Sequence, residues 1–414
     1  MDAMEEERNK QINDLKATGL FSNVTEEDEK IMVDGQRIKK LGVGGFGEVF
    51  KVYSEKENRY LAVKILTKPI EANRGEHLYL SKSKEKPFNS PSLMNISHIS
   101  DNGTVIVSEF CDGSGLDKLS NPPKKNKNAE TDRTKAQKAC QDPDRLKEMF
   151  IAVKELHDRG LAHRDIKGQN VILGNDGKFT IIDHGLLQND SQNITEIIGT
   201  RGYIPPELSK EALGNVKVDF KKHDVFSMGI MLFQVLALDK GKTMVDLCGV
   251  PNDWALTTMY ENKPEEVEKR IEEKLEKSEL STEIKDIIRK STSMDPAKRC
   301  TIDFMINRVE VMKERLEKEK ESKDISPKEK ETRVEKSEEN KIEGEVKKED
   351  IVVEQGKGDE NKSETKRSNT LDSLKKTEPD HQNTPVTVSS IRIPSGGAGT
   401  GDKQNKPSGP FTIK

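Results

Sequence analysis

The sequence predicts an α+β fold that runs out into a long tail with no core of its own. Three observations carry this expectation. Strand-like apolar runs crowd between residues 36 and 110, while helical runs dominate from 144 to 311. Beyond 311, Lys, Glu and Ser displace almost every apolar residue. Strands first and helices after, in one folded body, are the pattern of segregated sheet and helix layers.

Bulk composition agrees. Of 414 residues, 32% are hydrophobic and 35% charged, and mean hydropathy is −0.81, too polar for a chain compact throughout. Net charge is −4 with both signs abundant, so no global basic field points to nucleic acid or an acidic membrane. Cys111, Cys140, Cys248 and Cys300 show no CxxC pairing, which fits reduced thiols in a cytosolic protein. The acidic N-terminus lacks the apolar stretch of a signal peptide, and the longest apolar run, 225–238, is too short to span a bilayer. These features predict a soluble, cytoplasmic protein, acting in its own cell or in a host cytosol if delivered there.

Residues 1–34 read as a charged, partly helical leader. Chemistry begins with the glycine run Gly42-Val43-Gly44-Gly45-Phe46-Gly47. A dinucleotide-binding loop of this pattern would open a helix, but Val49, Phe50, Val52 and Tyr53 continue as strand. Two strands joined by a glycine turn make a flap whose N–H groups can lie over phosphates. The next strand, 60–66, carries Lys64 within an apolar run, and a core lysine needs an anionic partner. Glu76 lies on the helix that follows, with Leu80 on the same face, and Glu71 competes with it. Residues 87–97 are polar and loose, so that helix should be short. Residues 105–113 read as a strand entering a linker, and 114–142 as a flexible, lysine-rich insertion whose cluster 124–127 is a solvated loop. The stripe Leu146, Met149, Phe150, Val153 and Leu156 marks a buried helix ending at Gly160.

Next come His163-Arg164-Asp165-Ile166-Lys167-Gly168-Gln169-Asn170 and the strand 171–173. One acid, one lysine and one asparagine at this spacing suit attack of a hydroxyl on a phosphate beside a metal ion. Asp165 can accept the proton, Lys167 can offset charge, and Asn170 offers the metal a neutral oxygen. A hairpin turn at Asn175-Asp176-Gly177 returns the chain through Phe179–Ile182 to Asp183-His184-Gly185. An apolar helix over 225–238 and short amphipathic helices from 263 to about 311 follow. The last residues, rich in Ser, Thr, Pro and Gly, have a disordered composition, with partner docking as a further role.

Six of these stretches, in this order over roughly residues 35–310, resemble the protein kinases in their Ser/Thr form. The resemblance implies a bilobal fold: a five-stranded lobe with a helix C over 35–112, and a mainly helical lobe over 113–310. It implies ATP and Mg²⁺ (or Mn²⁺) as cofactors and protein substrates as partners. Lys64 and Glu76 would hold the nucleotide, Asp165 would be the base, and Asn170 and Asp183 would carry the metal. Leu41, Gly42, Val43, Gly44, Gly45, Phe46, Gly47 and Val49 would form the flap. Ala62, Ile172 and the hinge residues Glu109 and Cys111 would enclose adenine, with Ser108 as an unusually small gatekeeper. Thr200, in Gly199-Thr200-Arg201-Gly202-Tyr203-Ile204-Pro205-Pro206-Glu207, would orient the substrate hydroxyl. Glu207 would pair with Arg299, and Asp224 would anchor the catalytic loop. Arg164 would receive a phosphate from the activation segment, at Thr195 or Ser191. His184 stands where phenylalanine is usual, so it should be neutral and hydrogen-bonded or leave its motif mobile. A scaffold without chemistry, a kinase of non-protein substrates and a nucleotide-dependent oxidoreductase are the alternative readings.

Overall fold

The computed structural model describes residues 3–71, 73–121, 129–193, 197–211 and 217–324. Two units divide the chain, Met1–Lys320 with Ser408–Lys414, and Glu321–Pro407. Of the second unit, the described residues are 321–324 alone, at the end of a helix. The tail beyond 324 and the basic cluster 124–127 lie outside the described residues.

The described residues 3–34 contribute to a core, where their charge suggests only a leader. Helix α1 (Ala3–Ala17) leads into a three-stranded antiparallel sheet of β1 (Val24–Glu27), β2 (Lys30–Val33) and β3 (Gln36–Arg37). Ile12, Leu15, Phe21, Val24, Ile31 and Val33 pack in one cluster with Phe50, Val52, Leu61, Val63, Ile65, Val105 and Val107. Buried Asp34 pins the arrangement, accepting from Ser22 N and Asn23 N at 2.7 Å and from Glu55 N at 2.9 Å. Six apolar residues spread over one helix, the link after it and two short strands give no window enough periodicity to read as core.

The partner surface is a five-stranded antiparallel sheet. It is built from β4 (Lys39–Gly44), β5 (Gly47–Ser54), β6 (Arg59–Leu66), β7 (Ile96–Ile99) and β8 (Val105–Glu109), ordered β4-β5-β6-β8-β7. Alternation along β6 sends Leu61, Val63 and Ile65 to the N-terminal segment, and so sends Ala62 and Lys64 to the opposite face. In β8, Val105 and Val107 join the same outer cluster, whereas Ile106 joins the main core. Helix α2 (Gly75–Glu85) adds Leu78 and Tyr79 to that main core. At eleven residues it is as short as expected.

The larger lobe begins with β9 (Gly113–Gly115), α3 (Leu116–Ser120) and α4 (Ala129–Ala139). Most of the expected flexible insertion is therefore ordered. Helix α4 buries Ala136 and Ala139, with Cys140 just past its end, and Arg133 is buried as it donates to Ser120 O at 2.9 Å and Leu238 O at 2.6 Å. Small residues among lysines carry little apolar signal, which hid this face. Helix α5 (Pro143–Asp158) starts at an Asp142 cap that accepts from Arg145 N at 3.1 Å, and the chain turns at Gly160 with φ +70°. Strand β10 (Leu161–Ala162) precedes the hairpin of β11 (Val171–Gly174) and β12 (Phe179–Ile181), and β11 also pairs with β9. Strand β13 (Gln188–Asn189) pairs with β10, and β14 (Ser191–Asn193) pairs with β15 (Lys217–Asp219).

Helix α6 (Pro206–Glu211) precedes α7 (Phe220–Leu236), which is buried along nearly its whole length. Helices α8 (Met244–Cys248), α9 (Asp253–Asn262), α10 (Pro264–Glu276) and α11 (Thr282–Ser291) pack around it with α12 (Ile302–Asp324). A boundary at 310 would cut α12, since Met312 is buried and Arg315 donates to Glu283 at 3.0 Å. No described helix is long and apolar enough to cross a membrane.

Candidate active site

Lys64 leaves the inner face of β6 and meets two carboxylates. Its ammonium donates to Glu76 Oε1 at 2.6 Å and to Asp183 Oδ1 at 2.7 Å. Burial alone would lower the Lys64 pKa, but the two anions outweigh it and raise it well above the ordinary value. Burial would likewise raise the Asp183 carboxyl, and Lys64 overrides this and holds it well below the usual range. Both groups are charged at neutral pH. Glu76 lies in the first turn of α2, whereas Glu71 precedes the helix and pairs with Arg74 at 2.9 Å.

Close backbone approach sets this junction. Gly75, with φ +52°, donates to Leu187 O at 2.9 Å, and a Cβ there would fall 2.7 Å from Gly185 O. Only glycine lets the start of α2 sit against the Asp183-His184-Gly185 triplet and bring Glu76 to Lys64.

The loop 163–170 is held from beneath. Asp224 in α7 accepts from His163 N at 2.8 Å, Arg164 N at 2.7 Å and His157 Nε2 at 2.9 Å. The charge is fully buried, and the hydrogen bond from His157 with the nearby histidines outweighs that burial to keep its pKa low. Arg164 and Asp183 both take left-handed backbone angles, φ +66° and +61°, a strain the surrounding bonds impose. His163 also bonds Ile182 O at 3.2 Å and so ties the loop to the Asp183 strand. That role, and the His157–Asp224 pair, sequence reasoning missed. A histidine at the head of the loop was the available signal.

Asp165 then receives three donors. Thr200 Oγ1 donates to Oδ1 at 2.6 Å, while Lys167 Nζ and Asn170 Nδ2 reach Oδ2 at 2.8 and 3.0 Å. Lys167 also donates to Thr200 Oγ1 at 2.6 Å. The Thr200 bond shows that Oδ1 can take a proton donor of alcohol type. Among the described residues, Asn170 Oδ1 and Asp183 Oδ2 accept no hydrogen bond. Both are hard oxygens, the kind Mg²⁺ takes, so the pair fits that ion.

The flap is β4, β5 and the turn at Gly45-Phe46. Leu41, Val43 and Phe46 are exposed, and the Phe46 ring lies 5.9 Å from Lys64 Nζ. Gly42 and Gly44 pair with Val49 and Gly47 across the flap, and a Cβ on Gly47 would strike Ile65 O. Ala62 faces Ser108 in the β6–β8 ladder, and buried Ser108 lies with Oγ 3.4 Å from Ala62 O. Glu109 N donates to Asn95 O, while the Cys111 N–H donates to no described residue. Burial pushes the Cys111 thiol up to about 11. Ile172 sits in β11, half-buried, beside the β9 strand that leaves the hinge. The residues expected to build one site are thus shared between the β4–β8 sheet and the β9–β11–β12 sheet, which are joined through the Lys64–Asp183 bond.

His184 is sealed under α2. Its ring stacks on Tyr79 at 4.0 Å, meets His163 edge-on at 5.5 Å, and Nε2 bonds Met94 O at 3.0 Å. Burial, with the neighbouring His163, pulls its pKa down to about 3. It is neutral and hydrogen-bonded, the first of the two expected outcomes. Glu207 and Arg299 form the expected buried ion pair, with one bond at 3.0 Å. The Arg164 guanidinium lies 4.3 Å over Phe220 and donates to Gln188, and its buried Nε has no partner among the described residues. Thr195 lies outside the described residues.

A family model described as "Protein kinase domain" matches residues 36–309. The chain is 28% identical to mouse serine/threonine-protein kinase Nek1 over 218 residues, covering 49% of this chain and 16% of that protein. It is 25% identical to yeast serine/threonine-protein kinase KIC1 over 279 residues, covering 66% and 23%. It is 29% identical to CBL-interacting serine/threonine-protein kinase 21 of Arabidopsis thaliana, covering 48% and 45%. The chain therefore spans less than half the length of these relatives, and the α1–β2 segment precedes the family match.

Proposed function

Since the chain belongs to the protein kinase domain family, we propose that it transfers the γ-phosphate of ATP to serine or threonine hydroxyls of protein substrates. The observation that carries this reading is a carboxylate, Asp165, poised by Lys167 and Asn170 beside the Lys64–Asp183 pair. The flap and the Lys64 ammonium, steadied by Glu76, would hold the phosphates of ATP. Asp183 and Asn170 would hold Mg²⁺, or Mn²⁺ in its place. When bound, that ion offsets negative charge on the phosphate oxygens.

Asp165 Oδ1 takes the proton of the attacking hydroxyl, in the position where Thr200 now donates. Lys167 then moves charge compensation toward the transferred group, and Thr200 orients the incoming alcohol. The Asp224 anchor keeps His163 and Arg164 from rotating, so the base does not wander from the cradle.

Asp165→Asn removes the base and leaves the cradle. Transfer from labelled ATP to a Ser/Thr peptide should fall by about 10²- to 10⁴-fold, while calorimetric ATP affinity stays within a few-fold. A near-full rate in this variant would overturn the mechanism, and ATP binding without transfer by the intact chain would leave a scaffold.

A further inference from the structure

Arg201 follows Thr200 directly, and nothing in the catalytic mechanism uses it. Its Cζ lies over the Trp254 ring, 3.1 Å from the centroid, and Trp254 is 58% exposed. A tryptophan so exposed at the first turn of α9, wearing an arginine, is costly as mere surface. The segment beneath is rigid. Tyr260 donates to Gly202 O at 3.1 Å, Ser227 donates to Tyr203 O at 2.8 Å, and Tyr203 N closes a turn on Thr200 O at 3.0 Å. Asp253, next to Trp254, is the nearby anion, yet it forms no ion pair with Arg201, whose guanidinium N–H groups have no acceptor among the described residues.

Resting on the kinase reading above, we propose that Arg201, braced by Trp254, selects protein substrates with a carboxylate side chain within three residues of the phosphorylated Ser or Thr. Thr200 touches the base, and adjacent Cα atoms are ~3.8 Å apart. The acceptor hydroxyl and the guanidinium are therefore separated by only a few residues of extended peptide, ~3.3 Å each. Stacking on the indole fixes the plane of the guanidinium and leaves its edge to fork onto a carboxylate. Asp253 acts against the incoming anion and sets how strong the preference is.

The test uses the full chain and a peptide series with Asp, Gln or Lys at each of the three positions on either side of one acceptor. The ratio of kcat/KM for Asp over Gln should reach about five- to tenfold at one or two positions, mainly through KM. Arg201→Ala should bring that ratio to about 1, Arg201→Glu should invert it in favour of Lys, and Asp253→Asn should raise it. Equal ratios in the intact chain and Arg201→Ala would overturn this inference while leaving the kinase reading standing. Absence of transfer to every peptide by the intact chain would overturn both.

Discussion

Replacing His184 by phenylalanine tests how the site is sealed. The imidazole is fully buried, Nε2 carries its proton toward Met94 O, and Nδ1 is buried without a partner. A second proton would put a charge where no group can accept it, which is why the pKa sits near 3. In the unfolded chain the same ring titrates at about 6.5. A base whose folded pKa is depressed leaves the native state short of a proton below that value. The stability it permits is intact above pH 6.5 and declines as pH falls. Integrating from pH 7.5 to 5.5 gives a loss on the order of 1 kcal/mol for each such histidine. His223, also buried and near 3, adds a second. The pair thus contributes roughly 2–3 kcal/mol of acid sensitivity to the intact chain, and His184→Phe should remove about half. Losing the bond to Met94 lowers stability at both pH values alike, so the difference between them is the readout. Urea unfolding followed by far-UV circular dichroism at pH 7.5 and 5.5 measures it. Equal acid losses in the two proteins would mean that His184 is not held neutral.

Deleting residues 1–34 strips cover from Leu61, Val63 and Val107. The shortened chain should be insoluble or melt at least ~10 °C lower, since burying each large apolar side chain stabilises by about 1.5–3 kcal/mol; an unchanged Tm would refute the core assignment. Ser108→Met should weaken bulky-aryl pyrazolopyrimidine inhibitors at least about tenfold at constant KM for ATP, and equal potency would displace the gatekeeper from Ser108. The unpartnered Nε of Arg164 calls for an anion, so mass spectrometry of active enzyme should find phosphate at Thr195, or else Ser191. An unmodified segment in fully active enzyme counts against that control.

What was legible in the sequence was whatever is local. The Asn175–Gly177 turn joins β11 to β12 as its composition dictates, and the Leu146–Leu156 stripe is the buried face of α5. Glu76 could be preferred over Glu71 because a helix needs room after Lys64, and α2 indeed opens at Gly75. Partners distant in the chain stayed hidden. Met94 O satisfies His184 from 90 residues away, and Arg133 bonds Leu238 O from 105 away. Neither acceptor has a side-chain signature, because each is a backbone carbonyl. The N-terminal segment and α4 were missed for a different reason: their buried residues are few or small, and only the sheet or helix they cover shows them to be core.

The outer cluster of the small lobe also sets an order of events during synthesis. Val105 and Val107 leave the ribosome about ninety residues after Ile12 and Leu15, which pack on them. At about 5–20 residues per second, these side chains wait roughly 5–20 s before their cover exists. In that interval Phe21, Val24, Ile31 and Val33 form an uncapped apolar strip, open to chaperones or to another nascent copy. The β1–β3 and β4–β6 ladders can pair before then, but the outer cluster closes only when β8 supplies Val105 and Val107, so completion of this one strand marks the moment when that apolar strip is covered.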